Sequence, residues 1–124
     1  MSDQKITLAW KEVVPVHGSQ SGISVRQGIV TSLLCNQSKD GPYADEVRGD
    51  AIFYRVTDST NPRSVAALKK MVADRGRSVR VFEKLGVNRW ADLGQWHVAD
   101  VASEDEGCWV FLLHRKAERV ASLD

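Results

Sequence analysis

The sequence predicts a mainly β, α+β fold: a small twisted barrel of about six strands with one helix on its flank. Short runs rich in Val, Ile, Leu, Phe, Tyr and Trp recur along the chain, separated by Gly, Pro, Asn or Asp turn signals. Only the stretch from Pro62 to Gly76 combines helical spacing of apolar residues with start and stop signals. The length of 124 residues makes one domain, 1–124, and contents of 43% hydrophobic and 27% charged residues are those of an ordinary globular protein.

Taken in order, Ile6 to Trp10 is a short apolar run, a first strand or a helix turn. Lys11 to Val16 carries Val13, Val14 and Val16, and Pro15 argues for an edge or an end. His17 to Gly22 reads as a polar, flexible loop. Ile23 to Gln27 alternates Ile23 and Val25 with Ser24 and Arg26, the pattern of a half-buried strand. Gly28 to Cys35 is a buried strand, and Asn36 to Pro42 is a loop of Asn, Ser, Asp and Gly. The Gly41-Pro42 breaker leads through Tyr43, Asp45 and Glu46 to a Gly49-Asp50 turn, and then a strand from Ala51 to Val56.

Asn61 is a good N-cap and Pro62 fits the first helical position. Val65, Leu68, Met71 and Val72 form the apolar stripe, with Arg75 in the last turn and Gly76 as the C-terminal cap. Ser78 to Lys84 is a strand with Val79 and Val81 on one face, and Gly86 to Arg89 is a turn. Trp90 to Val101 gives a short turn and then a strand, and Glu104 to Gly107 is a hairpin turn. Cys108 to Arg115 is apolar enough to be a central strand. The tail from Lys116 is polar.

No apolar run approaches the ~20 residues that cross a bilayer. Met1 to Lys5 lacks the layout of a signal peptide, so the expected compartment is the cytoplasm. Cys35 and Cys108 are far apart and read as plain core thiols; no metal-ligand spacing exists, and neither a metal nor any other cofactor is expected. The net charge is +1, but it is unevenly spread. From Asn61 to Trp90 eight bases face two acids, a net of +6, whereas from Ala91 to Gly107 all five charges are acidic. A basic segment beside an acidic one gives a face able to meet phosphates, or simply a solvated helix face and an acidic turn.

The stretch from Gly41 to Tyr54 holds one tyrosine and adjacent acids on the loop and a second tyrosine on the strand after it, the groups that would sandwich a flat ring and accept from its amino group. It resembles the core motif of SRA (SET- and RING-associated, or YDG) domains, which bind DNA carrying modified cytosine. Tyr43, Asp45, Glu46, Val47, Gly49, Asp50 and Tyr54 match in order. Gly22-Ile23 and Gly28-Ile29 are both candidates for the family's preceding Gly-Ile loop. Asn61 and Leu68 match its helix, Val79-Arg80-Val81 its next strand and Leu113-His114-Arg115 its last one. Trp90 to Val98 stands, without a clean match, where the family has Tyr-Asp-Gly. The similarity spans Gly22 to Arg115, with two departures: Arg55 to Asn61 is too short for the eukaryotic finger loop, and Glu46 stands where the family often has aspartate. The chain looks most like the compact SRA-like modules of bacterial modification-dependent restriction enzymes.

The resemblance implies a PUA-like/SRA-like barrel that reads double-stranded DNA containing a 5-substituted cytosine such as 5-methylcytosine. It implies base flipping, which costs a few kcal/mol recovered by stacking and edge hydrogen bonds. Tyr43 and Tyr54 would flank the ring, and Glu46 or Asp45 would accept from the exocyclic amine, with Glu46 favoured by its alignment; Asp50 would cap the turn. Phosphate contacts would be drawn from Arg26, Arg55, Arg63, Lys69, Lys70, Arg77, Arg80 and Lys84, a set from which only some can face DNA. A separately encoded nuclease would be the partner in restriction.

Blander readings stand beside these. Tyr43 and Tyr54 are also what half-buried tyrosines of a small β domain look like, and Asp45 and Glu46 what a solvated turn looks like. Trp10, Trp90, Trp96 and Trp109 read as core, with Trp90 beside Arg89 also a candidate wedge. His17, His97 and His114 accompany no nucleophile motif, so no catalytic residue is assigned. The alternatives are a small enzyme acting on a nucleobase or nucleoside, with a carboxylate as general base, and an interaction module using the acidic hairpin.

Overall fold

A computed structural model of the chain describes residues 7–19, 22–36, 44–57, 62–74, 77–105 and 107–115. Its described elements run α1 (Trp10–His17), β1 (Ile23–Arg26), β2 (Ile29–Cys35), β3 (Glu46–Arg48), β4 (Ala51–Thr57), α2 (Pro62–Val72), β5 (Val79–Gly86), β6 (Arg89–Asp105) and β7 (Cys108–Arg115). The strands form one seven-stranded sheet in the order β1-β2-β5-β6-β7-β4-β3. All neighbours are antiparallel except β2 and β5, which are parallel and joined through the β3–β4 hairpin and α2.

The mainly β fold with α2 on its flank is as expected, and β7 is central, between β6 and β4. Lys11 to Val16 is a correction: it is helix, not a strand edge. Glu12 Oε1 accepts the Ala9 N–H at 2.8 Å while Ala9 O accepts from Glu12 N at 2.9 Å, which starts the helix without a polar N-cap side chain. Pro15 removes one bond of the ladder with only two helical residues left, and Gly18 in the left-handed region closes the end through Val14 O. Valines at 13, 14 and 16 look strand-like, but the face that matters is Val13 and His17, four apart and both fully buried. His17 is therefore not part of a flexible loop; its Nδ1 lies 2.7 Å from Ser32 Oγ on β2.

The helix is seated by its leading residues. Leu8 and Trp90 exchange backbone bonds of 2.8 and 2.9 Å, Asn88 Oδ1 accepts from Trp10 N at 2.7 Å, and the rings of Trp10 and Trp90 lie 5.3 Å apart. Trp90 is thus buried with Val13 and Phe82 in a small second core, not exposed as a wedge. The main core gathers Val30, Leu33, Ile52, Tyr54, Val79, Val81, Trp96, Val98, Phe111 and Leu113 beneath Leu68, Ala67 and Met71 of α2. Val65 and Val72 pack at its margin, completing the stripe. The proposed caps Asn61, Arg75 and Gly76 lie outside the described residues.

β6 is much longer than expected, and its irregularities bend it. Val81 pairs with Gly94 while Phe82 pairs with Asp92, so Leu93 is an extra residue in a bulge that Gly94 turns with φ +83°. A second slip falls between Val98 and Asp100 against β7. Such bulges let the sheet roll. An added Cβ at Gly94 would meet nothing within 4 Å, so the strain there is backbone strain alone. Gly94→Ala should therefore lower stability by about 1–2 kcal/mol in urea unfolding; an unchanged midpoint would mean that the bulge does not need the left-handed conformation.

Candidate functional site

The sheet ladder is open, yet its two ends meet at the acid-bearing turn. Asp45 is only 1% exposed. Its Oδ2 accepts from Asn36 N at the end of β2 (2.8 Å), and its Oδ1 accepts from Arg55 N on β4 (2.9 Å). Asp45 N in turn reaches Asn36 O at 3.4 Å. On the same side, the Tyr54 hydroxyl donates to Gly22 O at 3.4 Å, an oxygen that also accepts from Leu34 N at 2.8 Å. One carboxylate and one phenol thus fasten β4 to the start of β1 and the end of β2.

Glu46 and Arg48, read from sequence as loop, form the short edge strand β3, paired with β4 across the Gly49-Asp50 turn. Because successive strand residues point to opposite faces, the adjacent acids part company. Val47 packs on the main core, so Glu46 and Arg48 turn outward, and Glu46 sits opposite Phe53, whose successor Tyr54 points inward. The structure therefore brings Tyr54 together with Asp45, and Glu46 together with Arg48 and Arg55. It does not place Tyr54 and Glu46 on one face of the hairpin. Tyr43 lies outside the described residues.

The electrostatics follow this partition. Burial pushes the Tyr54 phenol well above its ordinary value, and Asp45 and Cys35 push it the same way. Arg55, and after it Arg48, hold the Glu46 carboxyl below its ordinary value through hydrogen bonds to the ionised form. The Glu46 side chain is 33% exposed, so it is the acid that solvent, or a ligand, can reach. Asp50, expected to cap the turn, instead accepts from Arg115 through both its backbone oxygen (3.0 Å) and its Oδ1 (3.1 Å).

The basic residues fall into different settings. Arg63, Lys69 and Lys70 are exposed on α2, and Lys69 Nζ lies 3.5 Å from the centre of the Trp109 ring. Arg26 is exposed at the end of β1, and Lys84 is half-exposed on β5. Arg77 pairs with Asp74 at 2.6 Å. Arg80 pairs with Asp92; burial works against that carboxylate, but the bonds from Arg80 and Gly94 N win and hold it below its ordinary value. Arg55 is the exception to the expected set. Only 11% of its side chain is exposed, and its Nη1 donates to Ala44 O and Glu46 Oε2, so it faces the turn rather than a phosphate. Sequence reasoning missed this role. The available signal was the alternation itself, which puts Phe53 and Arg55 on the face that Ile52, Tyr54 and Val56 leave.

No protein-family model and no curated protein matches the chain. Solved structures do, and the chain shares the fold of SRA domains. The SUVH5 SRA domain in complex with hemimethylated CG DNA superposes with a TM-score of 0.69 at 20% identity, covering 95% of this chain and 94% of that one. The same domain bound to fully hydroxymethylated CG DNA gives 0.71 at 19% identity, with 94% and 92% covered. SUVH6 of Arabidopsis thaliana in complex with SAM gives 0.64 at 20% identity, with 94% of this chain matching 26% of that one. Among the described residues, no helix is long and apolar enough to cross a membrane.

Proposed function

We propose that the chain is a non-catalytic, DNA-binding reader of 5-substituted cytosine. The observation that carries it is the SRA fold, matched over nearly the whole of both chains to domains captured on methylated and hydroxymethylated DNA. The part of the sequence motif that lies among the described residues, Asp45 to Tyr54, forms the turn and hairpin where the sheet ends meet, which supports this reading. That likeness also favours a reader over the nucleoside enzyme.

In this reading the base leaves the duplex and stacks against Tyr43, while Tyr54, buried on the opposite face of the hairpin from Glu46, supports the turn from the core. Glu46 accepts from the exocyclic amine, because both oxygens of Asp45 are engaged by backbone amides. Arg26, Arg63, Lys69, Lys70 and Lys84 are the candidates for phosphate contacts, with Arg77 and Arg80 needing to exchange their acid partners first. A separately encoded nuclease would act on the DNA so marked.

The test is a gel-shift array of duplexes carrying cytosine, 5-methyl-, 5-hydroxymethyl- and glucosylated cytosine. A modified duplex should bind best, with affinity falling steeply between low and moderate salt. Tyr43→Ala should cost ~1–3 kcal/mol of binding, and Glu46→Ala should reduce the preference for cytosine-derived bases over thymine. Equal binding to every duplex, or salt-independent binding, would end the reading.

A further inference from the structure

Arg55 grips the acid-bearing turn at three consecutive residues. Its backbone N–H donates to Asp45 Oδ1 at 2.9 Å, and its Nη1 donates to Ala44 O and to Glu46 Oε2, both at 2.8 Å. Two guanidiniums meet Glu46, and they are not equivalent. Arg48 is 69% exposed, neighbours Glu46 on the same strand, and lies 5.4 Å from the centre of the Phe53 ring. Arg55 comes from the inner strand and is nearly enclosed. An exposed ion pair is screened by water and weakened by the motion of its side chains, whereas an enclosed one with a second, backbone partner is held in one geometry.

The geometry points to Arg55 as a positioning residue that aims the Glu46 carboxylate which a base edge would meet. The inference rests on the reading of Glu46 as the base-edge acceptor. An ionised carboxylate only accepts hydrogen bonds, so it welcomes the amine of a cytosine and opposes the carbonyl that thymine presents there. A protonated carboxyl can also donate, and would tolerate both. Holding the proton off Glu46 therefore protects base choice. Among the described residues, the charged groups around it are Arg48 on its own strand and Arg55 on β4, both favouring ionisation. Asp45, next in the chain, turns to the other side with Tyr54, and the cross-strand partner Phe53 carries no charge. The sign follows: a lowered carboxyl keeps its charge until the pH falls through that lowered value, and losing Arg55 moves the change to higher pH.

Two measurements test this. The first follows the Glu46 carboxyl by NMR against pH in the whole chain without DNA, for wild type, Arg55→Gln and Arg48→Gln. The second measures competition between duplexes carrying 5-methylcytosine or thymine at one position, from about pH 7.5 to about pH 5. Arg55→Gln should move the Glu46 titration upward, and Arg48→Gln should move it less. The wild-type preference should hold across the range, and that of Arg55→Gln should decline toward the acid end as Glu46 begins to take up its proton. A merely structural arginine would weaken binding to both duplexes alike at every pH. Identical Glu46 titrations in wild type and Arg55→Gln, or a larger shift in Arg48→Gln, would overturn the assignment. If Arg55→Gln does not fold, Arg48→Gln decides: a Glu46 that stays low supports Arg55, and one that titrates as an ordinary glutamate refutes it. A wild-type chain with no preference at any pH sinks the reading of Glu46 and this inference with it, whereas a preference with unmoved titrations sinks only the role of Arg55.

Discussion

Tyr54→Ala should cost about 3–5 kcal/mol of folding stability, enough to unfold much of the population of a domain this small. Tyr54 is 4% exposed and sits in the main core with Ile52, Val56, Phe111 and Leu113, so truncation opens a cavity among close-packed neighbours. It also removes the hydroxyl that reaches Gly22 O. Tyr54→Phe keeps the ring and removes the hydroxyl, and should cost about 0.5–1.5 kcal/mol. Urea unfolding of the two variants separates the terms; a Tyr54→Ala domain within 1 kcal/mol of wild type, a margin well below the cavity cost, would show that the ring is not a core residue. The phenol adds a pH signature. Its proton affinity is raised on folding, so its contribution is complete below the ordinary tyrosine range and is lost as the pH climbs through that range. Alkaline unfolding should therefore be delayed in Tyr54→Phe. DNA-binding tests on Tyr54→Ala would report unfolding before recognition, which is why Tyr43 carries the stacking test.

How much of this was legible in the sequence depended on which physical signal each residue carried. The strands announced themselves through β-branched and aromatic runs, and α2 through the spacing of Val65, Leu68, Met71 and Val72. Helix α1 stayed hidden because Pro15 and three valines argue locally for a strand, while tertiary burial of Val13 and His17 against the sheet decides for helix. The parallel pairing of β2 with β5 has no local signature at all, since its partners are joined through a hairpin and a helix. At the site, the motif drew attention to the stretch from Asp45 to Tyr54, where β4 is fastened to β1 and β2. Adjacency of Asp45 and Glu46 concealed that one is a fastening inside and the other an ion-paired group outside, because that division depends on where β3 begins. Arg55 was legible as a cation, but not as one spent on its own fold.

Asp45→Ala is the second large effect, at about 3 kcal/mol or more. The carboxylate accepts from two backbone N–H groups, Asn36 and Arg55, and hydrogen bonds to a charged group contribute ~1.5–3 kcal/mol each. Alanine would remove both bonds and leave two half-buried donors to find water. Asp45→Asn keeps one carbonyl acceptor and should recover part of the loss. Hydrogen exchange at the Asn36 and Arg55 amides, with urea unfolding, measures it: both amides should exchange faster in Asp45→Ala while the centre of β7 stays protected. Unchanged exchange at these two amides would mean that the ends of the sheet are held by packing and not by the carboxylate.

The pairing of Asn36 with Asp45 also closes a span of chain at its feet. Backbone and side-chain bonds tie the two residues to each other, so the end of β2 and the start of β3 are joined directly there. Lengthening such a span adds closure entropy that grows only slowly with its size. Insertions between Asn36 and Asp45 should therefore cost the strands on either side little, which urea unfolding of a length series would measure.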